Sequence, residues 1–210
     1  FIAIISNRLP LEQQPRARRI GLLLAMGTRI LLLLSIAWVM RLTAPLFAVL
    51  GNEFSGRDLI LLAGGLFLIA KSTFEIHEKT EHKGHGPESG GGRVLSFGAA
   101  VSQIAVLDII FSLDSVITAV GMVDQVSVMI AAVVAAVAVM MIFAEPVSHF
   151  VKRHPTIQML ALSFLILIGV FLVAEGLGKH IDRGYIYFAM AFSLGVELLN
   201  MRARKATERG

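Results

Sequence analysis

Apolar residues in this chain gather in long unbroken runs, with no two-residue alternation of the kind half-buried strands show. The runs lie near 20–40, 58–77, 97–121, 126–145, 157–177 and 184–201. Each approaches the roughly 20 residues that a helix rising 1.5 Å per residue needs to cross a bilayer core about 30 Å thick. The opening "FIAIISNRLP" is too short to span and reads as the tail of a further helix that begins before Phe1. The pattern therefore predicts an all-α fold: a polytopic membrane helical bundle of seven transmembrane helices, the first mostly missing. Connections are short except 78–96, whose Gly, Pro and charged residues predict a flexible loop.

Composition agrees with that reading. Of the 210 residues 56% are hydrophobic and 16% charged, and the mean hydropathy is +0.76. Without a cysteine, disulfide frameworks and thiolate metal sites are excluded. The net charge of +4 comes from basic residues dispersed over loops, with no basic stripe or interleaved aromatics, so no nucleic-acid partner is expected. The partner is the lipid bilayer, and a homo-oligomer is compatible with it.

Basic residues mark the cytoplasmic side of a membrane protein. Alternate connections place thirteen Lys and Arg on one side (Arg8, Arg16, Arg18, Arg19, Lys79, Lys83, Arg93, Lys152, Arg153, Arg202, Arg204, Lys205 and Arg209) and four on the other (Arg41, Arg57, Lys179 and Arg183). This predicts a cytoplasmic C-terminus. A shift of 100 residues sets "LLAGGLFLIAKSTFE" (61–75) beside "ALSFLILIGVFLVAE" (161–175), each closing on a glutamate, Glu75 and Glu175. The two stretches start from opposite sides, as a 3+3 inverted repeat requires. The expected units are 1–96, the first half with its cytoplasmic loop, and 97–210, the second half with its cytoplasmic tail.

The candidate chemistry is in "LDIIFSLDSV" (107–116), where Asp108 and Asp114 interrupt an apolar span. A charge at the centre of a membrane helix costs about 2.5–3.5 kcal/mol on insertion scales, so both carboxylates must face protein or water. Six residues apart, they are separated by about 9 Å along a helix and about 120° around it. Asp108 falls in line with Ser112 and Ser115, and Asp114 with Gln103. Two polar stripes require that the helix be surrounded by protein or be locally unwound at 112–115. Hard divalent cations such as Mg²⁺ and Mn²⁺ prefer such carboxylate and hydroxyl oxygens, so Asp108, Asp114, Ser112, Ser115 and Gln103 form the candidate metal set. Alternatively the acids neutralise Arg29 and Lys71 as structural ion pairs. Arg29 needs a carboxylate partner, structurally or as a stand-in for an absent cation, and Lys71 is placed to snorkel. Glu145 is a further membrane carboxylate near a helix end. Glu197 and Asn200 share a helix face near the inner surface, as a cation entrance or a solvated helix end. His77, Glu78, Glu81, His82 and His85 carry metal-compatible groups on the long loop, whose glycines argue against a preformed site.

"LDIIFSLDSVITAVGM" (107–122), "RDLILLAGGLFLIAKSTFEIHE" (57–78), "HPTIQMLALSFLILIGVFLVAEG" (154–176) and "GYIYFAMAFSLGVELLN" (184–200) together resemble the TerC family of bacterial integral membrane proteins, named for tellurite resistance and grouped with LysE-like transporters. The resemblance implies a seven-helix fold in the bacterial inner membrane and manganese export. It also implies paired acidic motifs in symmetry-related helices, one on Asp108 and Asp114 and its partner upstream of Phe1. The expected function is export of a divalent cation, Mn²⁺ or one like it, as substrate, with no permanently bound cofactor. With no phosphate-binding G-x-x-x-x-G-K-[ST] loop, a gradient would supply the energy. The alternative is a membrane scaffold that binds partners in metal or tellurite stress. Intramembrane aspartyl enzymes use one Asp from each of two helices, whereas both acids here share one, so no enzymatic activity is expected.

Overall fold

The computed structural model describes residues 2–35, 39, 42–49, 52–81, 96–122 and 125–207. Its helices are α1 (Ile2–Ser6), α2 (Gln14–Leu34), α3 (Gly56–Glu81), α4 (Phe97–Met122), α5 (Val126–Arg153), α6 (Pro155–Gly176) and α7 (Arg183–Thr207). Five of them, α3 to α7, are long and apolar enough to cross a membrane. Helix α2 has 21 residues but carries Arg29 part-way along and three arginines near its start. The expected helical membrane bundle is the observed fold, and the opening segment forms the short helix α1.

Several helices extend beyond the hydrophobic runs, α3 to Glu81 and α7 to Thr207 among them. Helix α5 continues past 145 through Pro146 to Arg153, and α2 begins at Gln14, with Pro15 in its first turn, where proline's missing N–H costs nothing. Hydropathy detects only the hydrocarbon-crossing part of a helix. These ends are polar on one face yet packed, with Ser148 and Val151 of α5 buried, as are Ala17 and Arg18 of α2. The connection between α2 and α3 also holds a hairpin the pattern did not predict. Its strands, β1 (Pro45–Val49) and β2 (Asn52–Ser55), run antiparallel, with Phe47 stacked on Phe54 at 5.6 Å between ring centres.

Packing divides the bundle into two bodies that cut across the sequence halves. Helices α3 and α6 make the most extensive contact, while α2 packs on α4 and α5, with α1 lodged against all three. The α3–α6 pair is antiparallel and meets backbone to backbone. A Cβ added to Gly65 would stand 2.6 Å from the Gly169 carbonyl oxygen, and one on Gly176 would stand 2.8 Å from the Asp58 carbonyl oxygen. Only glycine permits so close an approach, the usual solution where two membrane helices gain van der Waals contact without a hydrophobic driving force. Helix α7 touches the bundle mainly through α6, with Ile186 in the shared core of Leu61, Leu68, Leu107, Leu162 and Leu172. Outward faces carry exposed Ile142, Phe143, Phe188 and Phe192, the surface a chain presents to lipid.

Candidate functional site

Helix α4 is continuous through residues 97–122, without the local unwinding at 112–115 that would have drawn both carboxylates together. Packing satisfies its two polar stripes instead, each against a different neighbour. Asp108 turns to α2: Arg29 Nη2 donates to its Oδ1 at 3.3 Å, and the hydroxyls of Thr28 and Ser112 each lie 3.1 Å from its Oδ2. Arg29 Nε also donates to the Ser112 hydroxyl at 2.9 Å. Ser112 is fully buried, so this hydroxyl is fixed between guanidinium and carboxylate.

Asp114 turns to α3 and α7. Arg57 Nη2 donates to its Oδ1 at 2.8 Å, and Arg183 Nη2 donates to its Oδ2. The same Arg57 nitrogen lies 3.5 Å from Glu175 Oε2, and Arg57 Nη1 lies 3.6 Å from Asp58. His180 Nδ1 approaches Glu175 Oε2 at 3.5 Å from an exposed position.

Local sequence positions these groups. In "SGRD" the Ser55 hydroxyl and the Asp58 backbone N–H are 3.3 Å apart, while the Ser55 backbone N–H donates to Asp58 Oδ2 at 2.9 Å. This reciprocal capping box starts α3 with Arg57 in its first turn. Helix α6 ends in a Schellman motif: Gly178 adopts φ +75°, the left-handed conformation glycine tolerates best, while Lys179 N–H bonds the Ala174 carbonyl and Gly178 N–H the Glu175 carbonyl. The reversal holds Glu175 in the final turn and brings the chain back to Arg183.

The five residues grouped as a metal set therefore do not form one cluster. Asp108 and Ser112 belong with Arg29, and Asp114 belongs with Arg57 and Arg183. Ser115 donates to the Ser112 carbonyl, and the buried Gln103 Oε1 has no hydrogen-bond partner among the described residues. The physical reason is the 120° rotation between the acids on an unbroken helix. Asp108 lines a cavity of about 350 Å³ with Leu22, Phe111 and Met140, whereas Asp114 lines one of about 280 Å³ with Arg29, Ser115, Phe171, Arg183 and Tyr187. Among the described residues no three His, Asp or Glu side chains are grouped as metal ligands.

A second charged cluster lies at the opposite end of α3. Buried Glu75 receives Arg8 Nε at 2.7 Å, and Arg8 also bonds Glu78. Lys71 is half-buried, with no hydrogen bond or ion pair among the described residues. Glu197 is half-buried and Asn200 exposed on α7, and neither reaches these clusters. His82 and His85 lie outside the described residues.

The family model for the integral membrane protein TerC family matches residues 1–210. This chain belongs to the TerC family. It is 57% identical over 205 residues to a UPF0053 protein of Haemophilus influenzae, covering 98% of this chain and 86% of that one. It is 55% identical to the UPF0053 inner membrane protein YgdQ of Escherichia coli, covering 98% of this chain and 85% of YgdQ. It is 51% identical to the inner membrane protein YoaE of the same organism, of which the chain spans 39%. No solved structure matches. With its apolar helices, this TerC family member is a multi-pass membrane protein, and relatives bear the name of inner membrane proteins.

Sequence reasoning about this TerC protein missed Arg57 and Arg183 as site residues, because both were counted as loop charges that set topology. Each opens a helix at the end where Asp114 lies, and that placement was the available signal. A basic residue in the first turn of a membrane helix can still reach a carboxylate on a neighbouring helix, as these two do.

Proposed function

We propose that this protein is a secondary transporter that exports a divalent cation of the Mn²⁺ type, with Asp108 and Asp114 as exchangeable carboxylates. The observation that carries this reading is that two acids on one membrane helix, Asp114 buried and Asp108 half-buried, are charge-compensated by three arginines from three other helices, Arg29, Arg57 and Arg183. A site built to take and release a positive ion needs a substitute positive charge when the ion is gone, since an unpaired buried carboxylate is strongly unfavourable. Arginine keeps its proton and can fill that role by swinging in and out. The division into inverted halves at 96/97 belongs to the same reading. It is supported by Ile69 packing on Gly169, the 100-residue counterparts that a two-fold axis through the α3–α6 contact would bring together. The cytoplasmic C-terminus is likewise part of the proposal, and reporter fusions at Gly210 would check it.

Full-length protein carrying Asp108→Asn or Asp114→Asn, expressed in cells challenged with manganese, is the test. Loss of tolerance with raised cellular manganese, compared at matched protein level, is the expected result. Unchanged tolerance and metal content in both variants would end the assignment.

One observation favours the second reading, a membrane scaffold: the two acids point to separate basic partners and line separate cavities. Charge exchange separates the two. Arg29→Asp combined with Asp108→Arg should restore whatever the pair does for a scaffold, but it should leave a transporter inactive.

A further inference from the structure

We infer that the cleft between the start of α2 and the last turns of α5 binds the phosphate of an anionic phospholipid. The reason is a buried cation without an anion. Arg18 is 5% exposed, and its one hydrogen bond among the described residues is from Nη1 to the Ser148 hydroxyl at 3.2 Å. Among the described residues no carboxylate lies within ion-pair distance of it. Burying a guanidinium costs several kcal/mol unless a negative group compensates, so the cleft it lines calls for one.

That cleft, about 70 Å³, is lined by Pro15, Arg18, Arg19, Leu22, Ala144 and Glu145, with Met141 below. It has room for a group of a few heavy atoms. Arg19 is exposed beside it, and Arg16, Lys152 and Arg153 lie at the same end of the α2–α5 pair, none with an ion pair among the described residues. Glu145 is the opposing charge in the cleft. It is 64% exposed and directed at His149, 3.9 Å away, instead of at Arg18.

Two features select a lipid over a free anion. The basic end sits where a membrane helix meets the headgroup layer, and below it the surface turns apolar, through exposed Ile20, Leu23, Leu24, Met141 and Ile142. A diacyl phosphate would place its charge on Arg18 and Arg19 and its chains along those side chains. Basic pockets between membrane helices are a recurring form of anionic headgroup recognition.

Purified protein in detergent, titrated with phosphatidylglycerol, phosphatidylcholine or inorganic phosphate and read by native mass spectrometry, tests the inference independently of transport. Phosphatidylglycerol should bind at least tenfold more tightly than phosphatidylcholine. Arg19→Gln should weaken it about fivefold, as expected for one basic residue near a charged surface. Glu145→Gln should tighten it by removing repulsion, and Arg18→Lys, which keeps the charge, should retain preference for the anionic lipid. Equal retention of both lipids, no effect of Arg19→Gln, weaker binding in Glu145→Gln, or displacement by millimolar phosphate would each overturn it.

Discussion

Replacing Asp114 by Asn removes one negative charge and leaves nearly the same shape, so its effect isolates the electrostatic role of the carboxylate. In the native protein the side chain is 8% exposed and its two oxygens serve different arginines, Arg57 at 2.8 Å and Arg183. Removing one partner of a buried ion pair typically costs about 3–5 kcal/mol. The lower end applies here, because Arg57 keeps Glu175 at 3.5 Å and Asp58 at 3.6 Å, and Arg183, one-third exposed, can turn outward. Asp108→Asn should cost less, about 1–2 kcal/mol. Its single arginine stands farther away, at 3.3 Å, and the Thr28 and Ser112 hydroxyls can re-orient toward an amide oxygen. For a chain of this size each kcal/mol moves the melting temperature by roughly 2–4 °C, so a fluorescence-detected melt in detergent should fall by about 6–12 °C for Asp114→Asn and by clearly less for Asp108→Asn. Adding Arg57→Gln to Asp114→Asn should deepen the loss, since buried Glu175 then loses its arginine as well. A reversed order of the two single variants, or a double variant as stable as Asp114→Asn, would refute the electrostatic account.

Two further predictions rest on packing and on the other charged cluster. Gly65→Ala places a methyl against the Gly169 backbone, which cannot yield, and should lower stability by about 1–3 kcal/mol. Gly27→Ala, with no atom of the described residues within 4 Å of the new Cβ, should instead raise stability by up to about 1 kcal/mol through helix propensity. Opposite melting shifts confirm the pair, and shifts of the same sign contradict it. Arg8→Gln strands buried Glu75 and should destabilise the protein markedly, whereas Arg8→Gln with Glu75→Gln should recover most of the loss. A thermal melt of the single and double variants decides that point.

The succession of long helices among the described residues was legible in the hydrophobic runs, because a bilayer core demands about 20 apolar residues whatever the packing. The partner of Asp108 was partly legible: Arg29 stands mid-span on another helix and cannot lose its proton, so a carboxylate had to be near. The partners of Asp114 were not, because Arg57 and Arg183 sit at helix starts where loop charge and site charge look alike in sequence. Their role depends on a capping box at Ser55 and a left-handed turn at Gly178, which set direction over only a few residues. The hairpin at 45–55 was hidden for a related reason. Two strands of four and five residues leave no periodicity long enough to separate from a loop.

The division of the bundle gives the two acids different mechanical positions. Asp108 and Arg29 both belong to the body made of α1, α2, α4 and α5, so their bond lies within one packed unit. Asp114 belongs to that same body, but its arginines come from α3 and α7, which pack with α6 in the other. The α3–α6 contact is made through glycine backbones and cannot slide without clashes, so relative motion is favoured at the seam between bodies, where α3 meets α4 over a much smaller contact. Any opening along that seam at the Arg57 end must break the Asp114 ion pairs and can leave the Asp108 pair intact. Alternating access in this fold would therefore use Asp114 as the latch that trades arginine for a cation first, with Asp108 as the second exchangeable carboxylate behind it. Under that assignment Asp114→Asn, beyond its cost in stability, should bias the surviving folded protein toward a state open at that end, whereas Asp108→Asn should not. Labelling of a cysteine introduced at Ser115, in the cavity beside Asp114, distinguishes them by rate.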